Sequence, residues 1–279
     1  MEPHASIGTG WHMKAAIVIP ARYGSSRFPG KPLAPISGKT MLERTWRIAS
    51  AAGADMVVVA TDDARITSAA TEFGAVVVNT PSECANGTER VYEALNKLAQ
   101  TPDIVLNLQG DAVLTPPWVL HDLIDVMKRD RSVMMATPAV QLTVEQYKDL
   151  ASEKARGIVG GTFVVFDKHN NALYFSKSPI PFLRSIEGAT KPPLYRHIGL
   201  YAYRYETLKQ YLQLPQGPLE EIEGLEQLRA LENGISIRVV VVNYKGRTHW
   251  SVDSPTDVQR VEAIIAQEGE LFTTDNGAR

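Results

Sequence analysis

Ala15-Ala-Ile-Val-Ile-Pro20, running directly into Ala21-Arg-Tyr-Gly-Ser-Ser-Arg-Phe-Pro-Gly-Lys31, is the stretch on which the fold turns. Six residues without a charge read as a strand buried on both faces, as parallel strands are. The loop that follows carries Arg22, Arg27 and Lys31 among small residues. Strand ends are where α/β folds bind ligands.

Working outward, the alternation of short β-branched runs with segments of helical period repeats. Strands are expected at 56–61, 76–79 and 104–108, and helices at 41–52, 64–73, 88–99 and 117–129. From 133 the pattern changes. Strands at 133–140, 162–166, 173–175 and 199–203 follow with little helix between them, and read as a β-rich extension over about 133–203. Helices at 205–212 and 219–232, a strand at 237–242 and a helix at 255–267 close the chain. The fold class is therefore α/β, with a mainly parallel central sheet and helices on both faces. Residues 1–13 read as an N-terminal extension or tag, 14–268 as one domain and 269–279 as a flexible tail.

The 279 residues are 44% hydrophobic and 22% charged, enough for a large core. A net charge of −2 gives no general attraction for nucleic acid or a membrane surface. The single cysteine excludes an internal disulfide and fits a reducing cytoplasm. No run approaches the roughly 18 apolar residues that cross a bilayer.

Arg22, Arg27 and Lys31 outline a triphosphate cradle, because guanidinium forks and a compact ammonium offset charge on a departing phosphate. Taken alone, a basic Gly/Ser loop is better explained as a solvated surface turn; its place directly after the first strand shifts the balance. The patterns of a P-loop and of a dinucleotide fold are both missing. Asp111 lies just beyond the 104–108 run and Asp253 just before the last helix; the residues alone also allow a turn aspartate and a helix cap. Thr88 is a fair helix cap, Thr61-Asp62-Asp63 reads as a strand end opening a helix, and His197 alone reads as a hydrogen-bonded structural histidine before a strand.

At these motifs the sequence resembles the 3-deoxy-manno-octulosonate cytidylyltransferases, or CMP-Kdo synthetases. The likeness starts at Ile19-Pro-Ala-Arg-Tyr-Gly-Ser-Ser-Arg-Phe-Pro-Gly-Lys-Pro-Leu33. It continues through Val59-Ala-Thr-Asp-Asp63, Asn86-Gly-Thr-Glu-Arg90, Asn107-Leu-Gln-Gly-Asp111, Ala172-Leu-Tyr-Phe-Ser-Lys-Ser-Pro-Ile-Pro181, Arg196-His-Ile-Gly-Leu-Tyr-Ala-Tyr-Arg204 and Val252-Asp-Ser-Pro255.

The resemblance implies a Rossmann-like nucleotide-diphospho-sugar transferase fold and transfer of CMP from CTP to an acidic sugar, with Mg²⁺ held by Asp111 and Asp253. It implies catalytic roles for Arg22, Lys31, Asp111 and Asp253. Nucleotide contacts fall to Arg22, Ser25, Arg27, Lys31, Asn86, Gly87, Thr88 and Arg90, and sugar contacts to Gln109, Arg196, His197, Glu226 and Gln227. Tyr201, Tyr203 and Leu225 are expected to pack, and 173–203 to contribute to a homodimer. The chain departs from the family pattern at Ala112-Val113, where Glu-Pro is usual, at Gly160–Val165, and at Arg247-Thr-His-Trp250, where small residues are common. These changes keep open another acidic acceptor, an amino-sugar analogue included, or a nucleotide-binding protein without turnover.

Overall fold

The computed structural model describes residues 13–24, 28–157, 160–185 and 192–273. In chain order these form β1 (Ala15–Pro20), β2 (Pro35–Ile36), β3 (Lys39–Thr40), α1 (Met41–Ser50), β4 (Met56–Thr61), α2 (Ala64–Glu72), β5 (Val76–Asn79), α3 (Gly87–Leu95), β6 (Ile104–Asn107) and α4 (Pro117–Arg129). The second half holds β7 (Met135–Gln141), α5 (Val144–Ala155), β8 (Thr162–Phe166), β9 (Ala172–Ser176), β10 (Tyr195–His197), β11 (Tyr201–Arg204), α6 (Tyr205–Leu212), α7 (Pro218–Glu223), α8 (Gln227–Glu232), β12 (Ile237–Val241) and α9 (Pro255–Glu268).

One sheet runs β5-β4-β1-β6-β11-β7-β10-β8-β9, with β12 on β7. Its first half, β5-β4-β1-β6, is parallel throughout, and β12 lies parallel to β7. The expected β-rich extension is continuous with this sheet, since β11 joins β6 to β7 by antiparallel pairing. Alternation along β1 assigns the layers. Ile17 and Ile19 pack with Leu42 of α1, Ile66 of α2 and Leu120 of α4, whereas Val18 packs with Val91 of α3, Leu208 of α6 and Leu228 of α8. Helices therefore cover both faces, and β1 is buried along its whole length.

The sequence reading and the structure differ at four places. α5 was expected as little more than connection, yet Thr143 and Gln146 form a reciprocal capping box that starts a twelve-residue helix. The single helix expected over 219–232 is two, because Gly224 takes a left-handed conformation (φ 62°) that ends α7. The strand expected from 199 is preceded by β10 and interrupted. At the interruption the Thr137 hydroxyl reaches the carbonyl oxygens of Ile198 (3.3 Å) and Leu200 (2.8 Å). The start of the expected flexible tail is docked. Glu270 pairs with the buried guanidinium of Arg44 at 2.8 Å, and Leu271 and Phe272 pack against the main core.

Candidate active site

The first loop is built to bring Lys31 to the end of β6. The Gly30 N–H donates to Tyr23 O and the Lys31 N–H to Phe28 O, closing the turn. Gly30 adopts φ 71°, and a Cβ there would stand 3.1 Å from the Tyr23 ring, so glycine meets both demands. Lys31 Nζ then lies 2.6 Å from Asp111 Oδ2. Asp111 is held in turn from two sides. The Thr45 hydroxyl lies 2.9 Å from Gly110 O, and the Val252 N–H donates to Asp111 O at 3.4 Å. That last bond places the segment carrying Asp253 beside the one carrying Asp111.

Asp253 is exposed and does not cap α9. Ser254 does, with Asp257 completing the box by accepting from the N–H groups of Asp253 and Ser254. The cap alternative for Asp253 is thereby removed. Asp111 and Asp253 offer hard oxygen donors from adjacent segments. No cluster of three or more His, Cys, Asp or Glu side chains suited to a metal occurs among the described residues.

Arg22 lies elsewhere, lining a pocket of about 400 Å³ with Asp62, Arg65 and Arg90. Arg90, expected at the nucleotide, is buried and occupied. Its guanidinium donates to Thr80 Oγ1 at 2.6 Å and lies 3.2 Å from Asp62. Such a group supports the loop around it more than it offers a free fork. Asp63 caps α2 through the Arg65 N–H, as the strand-end reading of 61–63 expects. Ser25 and Arg27 lie outside the described residues.

The 86–90 turn abuts the strand ends. Asn86, not Thr88, caps α3, accepting from the Glu89 N–H. Thr88 is buried and accepts from Asn107 Nδ2 (3.2 Å), whose Oδ1 accepts from Gln109 Nε2 (3.1 Å). A Cβ on Gly87 would come within 3.2 Å of the Gln109 amide and 3.3 Å of Pro20. A side chain there would press on Gln109 and Pro20, so glycine suits this approach of α3 to the ends of β1 and β6. Gln109, expected on the sugar side, thus lies against the 86–90 turn and does not line the larger cavity described next.

That cavity, of about 950 Å³, gathers Arg196, His197, Glu226, Gln227 and Asp253 in one wall. Four of the five expected sugar contacts therefore meet beside one of the two aspartates. Gln227 sits 2% exposed, its Oε1 accepting from the Tyr201 hydroxyl at 2.8 Å. Its Nε2 makes no hydrogen bond, and neither does the buried Arg196 Nε. Tyr201, Tyr203 and Leu225 pack in the core as expected.

His197 is held neutral. Burial first, then the charges of Lys177 and His249, pull it down to about 3. Its Nε2 lies 2.8 Å from Thr137 Oγ1. The Thr137 proton is directed to the Leu200 carbonyl, also at 2.8 Å, so the hydroxyl accepts from His197 Nε2–H. Burial likewise works against the charge on Arg196 and raises the Glu226 carboxyl, which Arg229 partly offsets.

Two cavity residues escaped the sequence reading of the site. Lys177, within the quoted Ser-Lys-Ser motif, is lowered by burial and lines the wall. His249, noted only as a departure, lines it too. The departure at Ala112-Val113 is a packing feature. Val113 and Leu114 are buried with Ile36, Met41, Val252 and Val261, beneath the segment that carries Asp253.

The sequence pattern of the cytidylyltransferase family matches residues 16–237. A 3-deoxy-manno-octulosonate cytidylyltransferase of Maricaulis maris is 54% identical over 261 residues, 93% of this chain and all of the relative. An 8-amino-3,8-dideoxy-manno-octulosonate cytidylyltransferase of Shewanella pealeana is 44% identical over 91% of this chain and 99% of its own length. Among solved structures, a CMP:2-keto-3-deoxy-manno-octonic acid synthetase complexed with CTP superposes with a TM-score of 0.80 at 39% identity, covering 91% of this chain and 99% of that one. With likeness of this extent over nearly the whole chain, the protein belongs to the cytidylyltransferase family, among the 3-deoxy-manno-octulosonate cytidylyltransferases.

Proposed function

We propose that the chain transfers CMP from CTP to the anomeric hydroxyl of 3-deoxy-manno-octulosonate, releasing pyrophosphate. The observation that carries this is the joining of two half-sites. A donor-rich cavity containing Asp253 is tied through the Val252 N–H to the Lys31–Asp111 pair at the head of the phosphate loop. The sugar oxygen forms a bond to the α-phosphorus as the bond to the β-phosphate oxygen breaks, and the hydroxyl proton leaves to solvent or to the departing phosphate. Lys31 offers its ammonium to the triphosphate; Arg22 would reach the leaving group from the separate pocket that it lines, and Arg27 is read there from the resemblance alone. Arg196, His197, Glu226 and Gln227 are read as orienting the sugar acid, with Gln109 bridging towards the nucleotide. Asn86, Gly87, Thr88, Arg90 and Ser25 shape the nucleotide's berth.

Asp111 and Asp253 suit Mg²⁺, which takes one or two carboxylates and fills its remaining positions with phosphate oxygen and water. Bound there, it would neutralise phosphate charge and align the reacting oxygens. The Lys31–Asp111 contact also places the ammonium where a phosphate oxygen can compete for it, leaving the carboxylate to the cation.

The 54% identity to the Maricaulis enzyme favours the octulosonate acceptor, and the 44% identity to the Shewanella enzyme supports its 8-amino analogue as the second reading. We also read the protein as a homodimer, and as cytoplasmic, where CTP is made, with its product consumed in lipopolysaccharide synthesis. The test is pyrophosphate release from CTP and Mg²⁺ with octulosonate, its 8-amino analogue and sialic acid. Turnover with octulosonate is expected. Asp111→Asn should lower kcat by about 100-fold or more, with the thermal midpoint nearly unchanged. Near-normal rates in that variant would remove Asp111 from the reaction. CTP binding without turnover on any acid would leave a nucleotide-binding protein.

A further inference from the structure

We propose that His249 is an acceptor-binding residue, donating a hydrogen bond from Nε2 to an oxygen of the sugar acid. This rests on the reading of the larger cavity as the acceptor site. Among the described residues, five buried side-chain polar atoms lack a hydrogen bond, and three of them, Arg196 Nε, Gln227 Nε2 and His249 Nδ1, belong to residues that line this one cavity. Unpaired buried polar groups are costly. Arg196 Nε and Gln227 Nε2 are donors that a ligand in this cavity would complete, and His249 Nδ1 marks the ring nitrogen that is shut away.

His249 is fixed in place. Its ring meets Tyr244 edge-on with centroids 5.7 Å apart. The preceding residue is pinned where the Thr248 N–H and hydroxyl donate to the Glu268 carboxylate on α9, and the following Trp250 donates from Nε1 to Asp257. The ring is clamped on both sides in the chain; Nδ1 is among the enclosed polar atoms and Nε2 is not, so the Cδ2–Nε2 edge is the one left for the cavity that His249 lines.

The protonation state follows from the enclosure. Burial, and then the positive charge of Arg196, pull His249 down to about 4, so the imidazole is neutral at physiological pH. An enclosed N–H without an acceptor is worse tolerated than an enclosed lone pair. The single proton therefore sits on Nε2, facing the cavity. The neighbouring Arg196, Lys177 and Gln227 add further donors. Glu153, Glu226, Asp253 and Asp257 line the same cavity, so it offers donors for a carboxylate and acceptors for hydroxyls, the two groups that a sugar acid carries.

Two substitutions test this. His249→Phe keeps the ring against Tyr244 but has no N–H. His249→Gln carries an amide that reaches the Nε2 position. Steady-state kinetics with octulosonate, CTP binding and thermal midpoints are measured for each. The Phe variant should raise KM for the acid about tenfold, with KM and Kd for CTP within about twofold of wild type. The Gln variant should recover most of the loss. An unchanged acid KM in the Phe variant would overturn the proposal. So would a parallel rise of both KM values with a lowered thermal midpoint, which marks a structural residue. Wild-type protein that binds CTP but turns over neither octulosonate nor its 8-amino analogue would instead overturn the functional reading, and this inference with it.

Discussion

At the scale of single residues, His197 shows how a polar group is held in one state by its surroundings. It is 6% exposed, packs against Phe175 and Tyr201, and spends Nε2–H on Thr137. Its value of about 3 lies below the unfolded value near 6.5. The unfolded chain therefore takes up a proton that the folded chain refuses as pH falls between those values. Stability from this group is complete above about 6.5 and is lost as pH drops towards 3. The expected outcome, read by urea unfolding from pH 7 to 4, is that His197→Gln flattens the acid slope by up to about 1.4 kcal/mol per pH unit. Parallel slopes in the two proteins would show that His197 already accepts the proton when folded. The residue types at the site were legible because Lys31 stands in the loop that follows β1 and Asp111 just beyond β6, where position alone gives them meaning. Lys177 and His249 were not, because their part depends on a cavity assembled from β9, β10, α8 and the loop before α9. Nothing local in Ser-Lys-Ser or Thr-His-Trp announces that enclosure. The partners of Arg90 were hidden for the converse reason: Asp62 and Thr80 arrive from just beyond β4 and β5, so its occupation is invisible in the sequence.

At the scale of elements, periodicity served wherever a helix had a face to bury. α1 and α4 each bury several apolar side chains against the sheet, and both were legible from that spacing. α5 buries only Tyr147, so it had no stripe to read, and its start is encoded in the cap. Helices with so little packing lean on local terms. Thr143→Ala removes the bond to the Gln146 N–H and should cost about 1 kcal/mol in urea unfolding. Thr143→Ser, which keeps the oxygen, should cost much less. Equal losses in both would mean that the methyl group, and not the cap, carries the effect. The break between α7 and α8 was hidden for another reason: Gly224 reads as a tolerated interior glycine until its left-handed φ is known. The pause between β10 and β11 depends on Thr137, some sixty residues earlier. No window of sequence contains both partners.

At the scale of the molecule, the sheet leaves its β9 end facing outward, with large apolar side chains around it. Leu173 on β9 is 63% exposed, Phe182 beyond it 89%, and Ile222 on α7 83%. α7 is fastened to that end, since the Glu223 carboxylate accepts from the Ser176 hydroxyl and the Lys177 N–H. Isolated apolar side chains on a surface are ordinary, but three of this size around one sheet end exceed what solvent contact favours. A second copy of the chain is the occupant that the resemblance over 173–203 implies. In light scattering during gel filtration, the expected mass is twice the chain's 30.7 kDa. Phe182→Asp combined with Ile222→Asp places two charges where the partner would bury them, and should give a monomer at the same loading concentration. The fold of each subunit should persist, because both residues project from the surface and take no part in the core clusters. Lys177 is the neighbour to watch, being anchored through its backbone to Glu223 while it lines the cavity proposed for the acceptor. If the dimer steadies that edge, the monomeric variant should show a raised KM for the sugar acid and an unaltered KM for CTP. A wild-type protein that runs as a monomer would remove the dimer, and an unaltered acid KM in the dissociated variant would show that each cavity stands without its partner.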